Sequence, residues 1–419
     1  MTTSGSNRHI PHHIAMIVFS YYPADPRVRR EAAALTKAGF IIDVLCLKGH
    51  TQPYKDHVDG VRVYRVPLQR KREGKLRYLW EYFTFITLSF FFITYMHIRK
   101  HYCAIHVHNM PDILVISALI PRITGAKIIL DLHDPMPEVY LAKYSLENSH
   151  PVIRLLMFLE KFSIRFADIV LTPNLSFQDL FIARGCPPDK IHIVMNSPDH
   201  SIFRERTPAT NSAQSTGDGP FTVMYHGTIV RRNGLDTALY AISDLKDKIP
   251  NIIFNVYGDG DWVQDFLALV DELNLNDIVR YHGFIPLEQI VSAIEHISVG
   301  LIPNNRTPFT EINMPTRIFE YLCMGKYVIA PKTQGILDYF DKDSMIFFEP
   351  GNWMSLSHVI YVLYSNQDRF LETLKKGLVV YYHHRWENQR QYLVQVISSL
   401  LGSDKIHPVK IIEGEKNHG

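Results

Sequence analysis

Residues 166–203 read FADIVLTPNLSFQDLFIARGCPPDKIHIVMNSPDHSIF. Two short apolar runs, Asp168–Thr172 and Ile191–Met195, bracket a longer helical pattern. This is a strand, a crossover and a second strand, the unit from which parallel sheets are built. The same alternation extends outward. Upstream come strand-like runs at Ile14–Phe19, Ile41–Leu47, Val61–Val66, Ala104–Val107 and Lys127–Asp131. Downstream, Thr207–Pro220 (TPATNSAQSTGDGP) is small, polar and turn-rich, as a linker would be. A second series follows at Phe221–Tyr225, Ile252–Tyr257, Ile278–Tyr281, Ser298–Ile302, Tyr327–Ala330 and Met345–Phe348. Several runs are continuous rather than alternating, as expected for strands covered on both faces. The expectation is an α/β chain of two doubly wound domains, 1–206 and 221–383, joined by the linker 207–220. Ligands of such sheets sit at the carboxyl ends of the strands, hence in a central cleft.

The 419 residues suffice for two ordinary domains. With 44 Lys and Arg against 42 Asp and Glu, the formal charge is +2, so no nucleic-acid partner is indicated. Four cysteines (Cys46, Cys103, Cys186, Cys323) are scattered, which suits a reducing compartment and points to a cytoplasmic location. The apolar run after the polar N-terminus is too short for a signal peptide and reads as the first strand.

Three segments carry candidate chemistry. In YHGTIVRRNGLDTAL (Tyr225–Leu239) a strand turns at Gly227, presents Arg231 and Arg232, and enters a helix near Gly234. Free N–H groups beside arginines suit a diphosphate, although a solvated arginine pair would look the same. VYGDGDW (Val256–Trp262) places Gly258 and Gly260 after a strand, where a ligand can approach backbone. In MPTRIFEYLCMGKYVIAP (Met314–Pro331), Glu320 stands one turn into a helix, where a carboxylate can accept from a ribose diol. The alternative is an i,i+3 ion pair with Arg317. His106 and His108 share a strand face, but no third metal ligand is near them in sequence, so no metal site is expected. His133, in DLHDPMPE, lies just past a strand end.

Arg70, Lys71, Arg72, Lys75 and Arg77 precede Leu79–Ile98, an apolar, aromatic stretch with one acid, Glu81. A bilayer span is the first thought. The strands on either side would then lie across a membrane from one another, which one sheet forbids. The favoured reading is a partly exposed crossover helix. Its basic run and aromatics Tyr78, Trp80, Tyr82, Phe83 and Phe85 would touch an anionic membrane, placing the chain at the inner face of the plasma membrane.

Taken in order, FADIVLTPNLSFQDLFIARG, KIHIVMNSPDHSIF, YHGTIVRRNGLD, VYGDGD, RYHGFIP and PTRIFEYLCMGKYVIAP resemble retaining glycosyltransferase family four. The resemblance runs from Ile14 to about Leu400, and the form P-T-x-x-F-E-Y is closest to a branch acting in surface-polysaccharide assembly. It implies the GT-B fold: two Rossmann-like domains, and a helix within 384–402 crossing back to the first domain ahead of a tail, 403–419. It implies metal-free sugar transfer with retention, from a nucleotide-sugar, needing no cofactor, to a saccharide or lipid-linked acceptor. Carried over by position, Arg232 faces the diphosphate and Glu320 the ribose. Gly258 lies beneath the nucleotide, Gly283 and Phe284 lie near the base, and Thr316 and Arg317 donate to phosphate. His133 stands near the sugar, and Arg27 and His108 belong to the acceptor side. Two departures stand out. Asn233 replaces the family's lysine, and Glu311 is one residue off its first glutamate. That second departure keeps a silent binding subunit in view, beside a nucleotide-sugar isomerase of the same fold.

Overall fold

The computed structural model describes residues 12–69, 75–200, 202–205 and 219–402. Most of the expected linker, all of the tail 403–419, and Arg70, Lys71 and Arg72 lie outside these residues.

The first sheet has eight strands: β1 (His13–Tyr21), β2 (Ile41–Leu47), β3 (Lys55–Val58), β4 (Val61–Val66), β5 (Ala104–His108), β6 (Lys127–Asp131), β7 (Ile169–Thr172) and β8 (Ile191–Ile193). Their spatial order is β3-β4-β2-β1-β5-β6-β7-β8. All neighbours are parallel except β3 and β4. The second sheet is wholly parallel, with β9 (Phe221–His226), β10 (Ile252–Tyr257), β11 (Val279–Tyr281), β12 (Val299–Leu301), β13 (Tyr327–Pro331) and β14 (Ile346–Phe348). Its order is β11-β10-β9-β12-β13-β14. Strand order reverses between β1 and β5 in one sheet and between β9 and β12 in the other. These are the two places where such sheets open a crevice.

Strand β1 shows why continuous apolar runs form the centre. Ala15, Ile17 and Phe19 enter one core layer, while Ile14, Met16 and Val18 enter the other. The period of two gives each face its own cluster. The helix Trp386–Leu400 returns to the first domain, with Trp386, Leu393 and Ile397 inside its second cluster.

The strand β3 is an addition to the sequence reading. It pairs with β4 through Asp59 and Gly60, at φ 52° and 82°. An Asp-Gly pair in that conformation closes a two-residue hairpin. For the aromatic run, the crossover reading holds and two of its rings are corrected. Helix Lys75–Lys100 joins β4 to β5 within one sheet, so it is a crossover and not a span. Tyr82 and Phe85 are core residues packed edge-on against Phe19, with ring centroids 5.0 and 5.1 Å apart. Neither is available to a membrane.

The domains meet through hydrogen bonds and rings. Leu175 N donates to Tyr339 Oη at 2.8 Å, Ser176 pairs with Asp338, and Phe177 lies 6.2 Å from Phe309. Phe309 sits on a loop of the second domain yet belongs to the first domain's core.

Candidate active site

On the first domain the site is built around one buried carboxylate. Asp131 ends β6 and is fully buried. Arg27, in the first turn of helix Pro26–Lys37, grips it with Nε to Oδ2 at 2.6 Å and Nη2 to Oδ1 at 2.8 Å. The remaining Arg27 donors reach Val194 O (2.9 Å) and Asn196 Oδ1 (3.0 Å), and Nη2 lies 3.3 Å from Glu31. His108 Nδ1 stands 3.0 Å from Asp131 Oδ2, and His106 stacks on His108 at 4.2 Å. Arg27 and His108 are therefore internal, at 6% and 0% exposure, and do not face an acceptor as expected. Their partners come from distant strands and hold them beneath the surface.

The fold gives His106 and His108 ligand-type neighbours that are remote from them in sequence. Glu31, His106, His108 and Asp131 bring ligand atoms within 4.8 Å of one another. The Arg27 guanidinium is already bonded to both carboxylates of this group.

His133 carries the network outward, its side chain 20% exposed. Its Nδ1 lies 3.7 Å from Asp131 Oδ2. Burial alone would lower its pKa, but Asp131 and Asp134 outweigh burial and raise it to about 9. The ring is thus an imidazolium at neutral pH. Burial likewise opposes ionisation of Asp131, yet Arg27 and the histidines hold its carboxyl well below the usual range. Burial keeps His106 neutral. Asn109 fixes the loop, accepting from His133 N (3.2 Å) and donating to Asp134 O (2.6 Å) and Asp112 Oδ1 (3.0 Å). Asn109 and Asp112 lie just beyond β5, in the run HNMPD (108–112), and the sequence reading passes over both.

On the second domain the loops after β9, β10 and β11 stack as laminae. A Cβ at Gly258 would sit 1.8 Å from Gly227 O, and one at Gly260 2.0 Å from Ile229 O. These glycines are required by the contact between loops, which corrects the idea that they make room for ligand. Gly258 N donates to Gly283 O at 2.8 Å and completes the stack. Beyond it, Phe284 is 80% exposed. At Gly234, a Cβ would lie 1.9 Å from Pro303 O. Asn233, in place of the family's lysine, ties its loop by donating to Thr228 O (2.7 Å) and Tyr225 Oη (3.1 Å).

Arg231 is exposed, while Arg232 is half-buried with its guanidinium 5.7 Å over the Phe309 ring. Arg232 acts on Asp134 of the first domain, lowering a pKa that burial raises. Arg317 donates to His226 O at 2.7 Å and lies 4.6 Å over Tyr225, so it braces the end of β9. Thr316 makes no side-chain cap bond. Glu320 faces His226 at 3.2 Å rather than pairing with Arg317. Burial pushes its carboxyl up to about 7 against Arg30 and Arg317, and burial also brings His226 down to about 3. Arg30, on the first domain, is near enough to act on the Glu320 charge, and it is steadied by Asn196 Oδ1 (3.1 Å) and by Trp386, 5.5 Å away. It ends the run RVRR (27–30), of which the sequence reading uses Arg27 alone. Glu311 is held by Arg306 and by Gln334 N, each at 3.3 Å, and among the described residues no contact joins it to His133.

Two facing parallel-sheet domains, with charged groups meeting at the carboxyl ends of both sheets, define the GT-B architecture. Residues 24–197 match the family model for a glycosyl transferase 4-like domain, and residues 209–377 match that for glycosyl transferases group 1. The chain belongs to these glycosyl transferase families, with one domain of each kind. It is 24% identical over 186 residues to the putative colanic acid biosynthesis glycosyltransferase WcaL of Escherichia coli, covering 42% of this chain and 44% of that protein. The chain thus spans less than half the length of that curated relative. Among solved structures, sucrose-phosphate synthase of Thermosynechococcus elongatus superposes with TM-score 0.75 at 17% identity, covering 94% of this chain and all of that one. HepE of Anabaena in complex with UDP-glucose gives 0.69 at 16% identity, covering 92% and 99%.

Proposed function

We propose that the chain transfers a sugar from a nucleoside diphosphate sugar to a saccharide or lipid-linked acceptor in the cytoplasm, in polysaccharide assembly. Transfer retains the anomeric configuration and uses no metal. One arrangement carries the reading: Arg232 stands 5.7 Å over Phe309, which packs into the first domain's core, and Arg232 and Glu320 lie near enough to Asp134 and Arg30 of that domain to feel their charge. Glu320 takes the ribose diol. Arg232, with Arg231 and the Thr316 hydroxyl, takes the diphosphate, whose negative charge grows as the sugar bond breaks. Fixed cations aimed at that charge lower the barrier because they need no reorganisation. The His133 imidazolium, held by Asp131, donates to the sugar or the departing oxygen.

Uridine diphosphate sugars are the first donors to try, since HepE was solved with one. The test is transfer from a panel of such donors with chelator present, the product's anomeric configuration being read by proton NMR. Retained configuration with chelator-insensitive turnover is the expected result. An inverted product, or activity restored only by a divalent ion, overturns it. The tie of Glu311 to Arg306 favours one second reading, a subunit that binds nucleotide without turnover. Nucleotide binding with no transfer or hydrolysis from any donor would select it.

A further inference from the structure

The outward side of the first domain's helical layer is apolar where a water-facing surface should be polar. Helix Lys75–Lys100 buries Phe85, Ile93 and Met96 against the sheet. Its opposite side exposes Trp80 (57%), Phe83 (71%), Phe91 (66%) and Ile98 (65%). Spacings of three, eight and seven keep these four on one stripe. Only 33% of the helix's most apolar window is buried, which sets it apart from an ordinary core helix.

A second helix extends the surface. Pro151–Phe166 exposes Leu155, Phe158 and Phe162 at spacings of three and four. Both helices pack on Asp112–Ala118, which lies between them, and Ile123 is exposed just after it. Isolated exposed apolar residues are ordinary, but two neighbouring helices with matching stripes are not.

Charge says what covers this face. The two helices contain two acids, Glu81 and Glu160, and both are buried in ion pairs with Arg77 and Arg184. The exposed charges on the same helices that are not tied to those acids are basic: Arg99, Arg154, Lys161 and Arg165. A second copy of this chain would bring like charges together. An anionic surface would neutralise them while the aromatic stripe enters the acyl boundary.

We propose that this two-helix face docks the first domain on an anionic bilayer, the helices lying in the interface. Each helix starts on the cleft side of the sheet, because one follows the carboxyl end of β4 and the other runs back to the amino end of β7. A membrane-borne acceptor would therefore reach the cleft past the helix starts. That last step rests on the transferase reading; the docking does not.

The test is co-sedimentation of the full chain with neutral phosphatidylcholine vesicles and with vesicles containing phosphatidylglycerol. Binding should rise with the anionic lipid and persist in part at high salt. Phe83→Asp with Phe158→Asp should abolish binding at every composition. Exchanging Arg154, Lys161 and Arg165 for Ala should weaken low-salt binding roughly a hundredfold before screening, at about one kcal/mol per charge. The salt-resistant part should remain. Circular dichroism and affinity for uridine diphosphate control for folding. Should the double Asp variant not fold, Trp80→Phe must remove a vesicle-induced blue shift from the emission of the four tryptophans. The proposal is overturned if the wild type stays in the supernatant with anionic vesicles at low salt. It is also overturned if the variants bind as wild type does. A lipid-free dimer that Phe83→Asp dissociates would assign the face to a second copy instead. Vesicle binding without sugar transfer would refute only the transferase reading.

Discussion

The two walls of the cleft are built on opposite principles. The first domain presents charge. Arg27, Asp131 and His108 form a buried polar knot from which the His133 ring emerges. The second domain presents backbone. Its loops after β9, β10 and β11 lie so close that glycine alone fits between them. A wall made of charge can set a protonation state. A wall made of stacked backbone can hold a ligand's outline with little motion.

The largest effect should come from cutting the knot. Asp131→Asn leaves the buried Arg27 guanidinium without its two-pronged partner, a loss of about 3–5 kcal/mol in stability by thermal or urea unfolding. The same change removes what holds His133 at about 9. The sign follows from the direction of the shift. The folded value lies above the ordinary 6.5, so the stabilisation is full below pH 6.5 and is lost as pH rises through 9. Wild-type transfer should decline on that alkaline limb, and Asp131→Asn should move the limb downward. A limb that stays near 9 in the variant would break the assignment of charge to the first wall.

Next comes a pair of glycines in the second wall. Gly258→Ala faces both a positive φ of 138° and a backbone oxygen 1.8 Å from the new Cβ, so the loops must part. A loss of about 3 kcal/mol or more is expected. Gly283→Ala, at φ 68° with nothing within 4 Å, meets only the backbone penalty of about 1–2 kcal/mol. Equal melting shifts for the two would show that lamination is not what Gly258 supplies.

Much of this architecture is legible in sequence because strands are local. The continuous run Ile14–Phe19 announces a doubly covered strand without help from the rest of the chain. The Asp59-Gly60 turn was equally local, and its hairpin escaped only because Lys55–Val58 is short and polar. The polar knot is different. Arg27 and Asp131 are 104 residues apart, and nothing in either neighbourhood points to the other. Within helix Pro26–Lys37, Arg27 is sealed inside the knot, and Arg30, about one helical turn on, is the residue near enough to act on Glu320. The glycines show a third case. Their positions were visible, but the reason for them is a neighbouring loop, and that exists only in the folded chain.

Glu320 lies where the two principles meet, a carboxylate set into the backbone wall. Its folded pKa of about 7 exceeds the ordinary 4.5. The stability of its neutral form is therefore present below pH 4.5 and is lost as pH rises through 7. Glu320→Gln should make the protein more stable at pH 8 while weakening uridine diphosphate binding by about 1–3 kcal/mol in calorimetry. Stability and binding moving the same way would mean the carboxylate is structural.

The smallest effect should be at Phe284, and it separates outline from charge most finely. The ring is 80% exposed, so it contributes little to folding, and Phe284→Ala should leave unfolding within about 0.5 kcal/mol of wild type. It stands on the Gly283 turn, whose carbonyl accepts from Gly258 N at 2.8 Å, so the most rigid part of the second wall supports it. Beside it, Tyr257 and His282 are stacked at 4.3 Å with planes 8° apart. A flat, exposed ring on a fixed support is suited to a nucleobase, and base–aromatic stacking contributes about 1–3 kcal/mol. Because one face of the ring stays open to water, the low end applies here, about 1 kcal/mol. The discriminating measurement compares two inhibitors. Phe284→Ala should weaken inhibition by uridine diphosphate roughly fivefold and leave inhibition by pyrophosphate unchanged, since pyrophosphate has no base to stack. Arg232→Ala should weaken both. If Phe284→Ala weakens both equally, the ring acts on the loop rather than on the base, and the second wall holds the diphosphate alone.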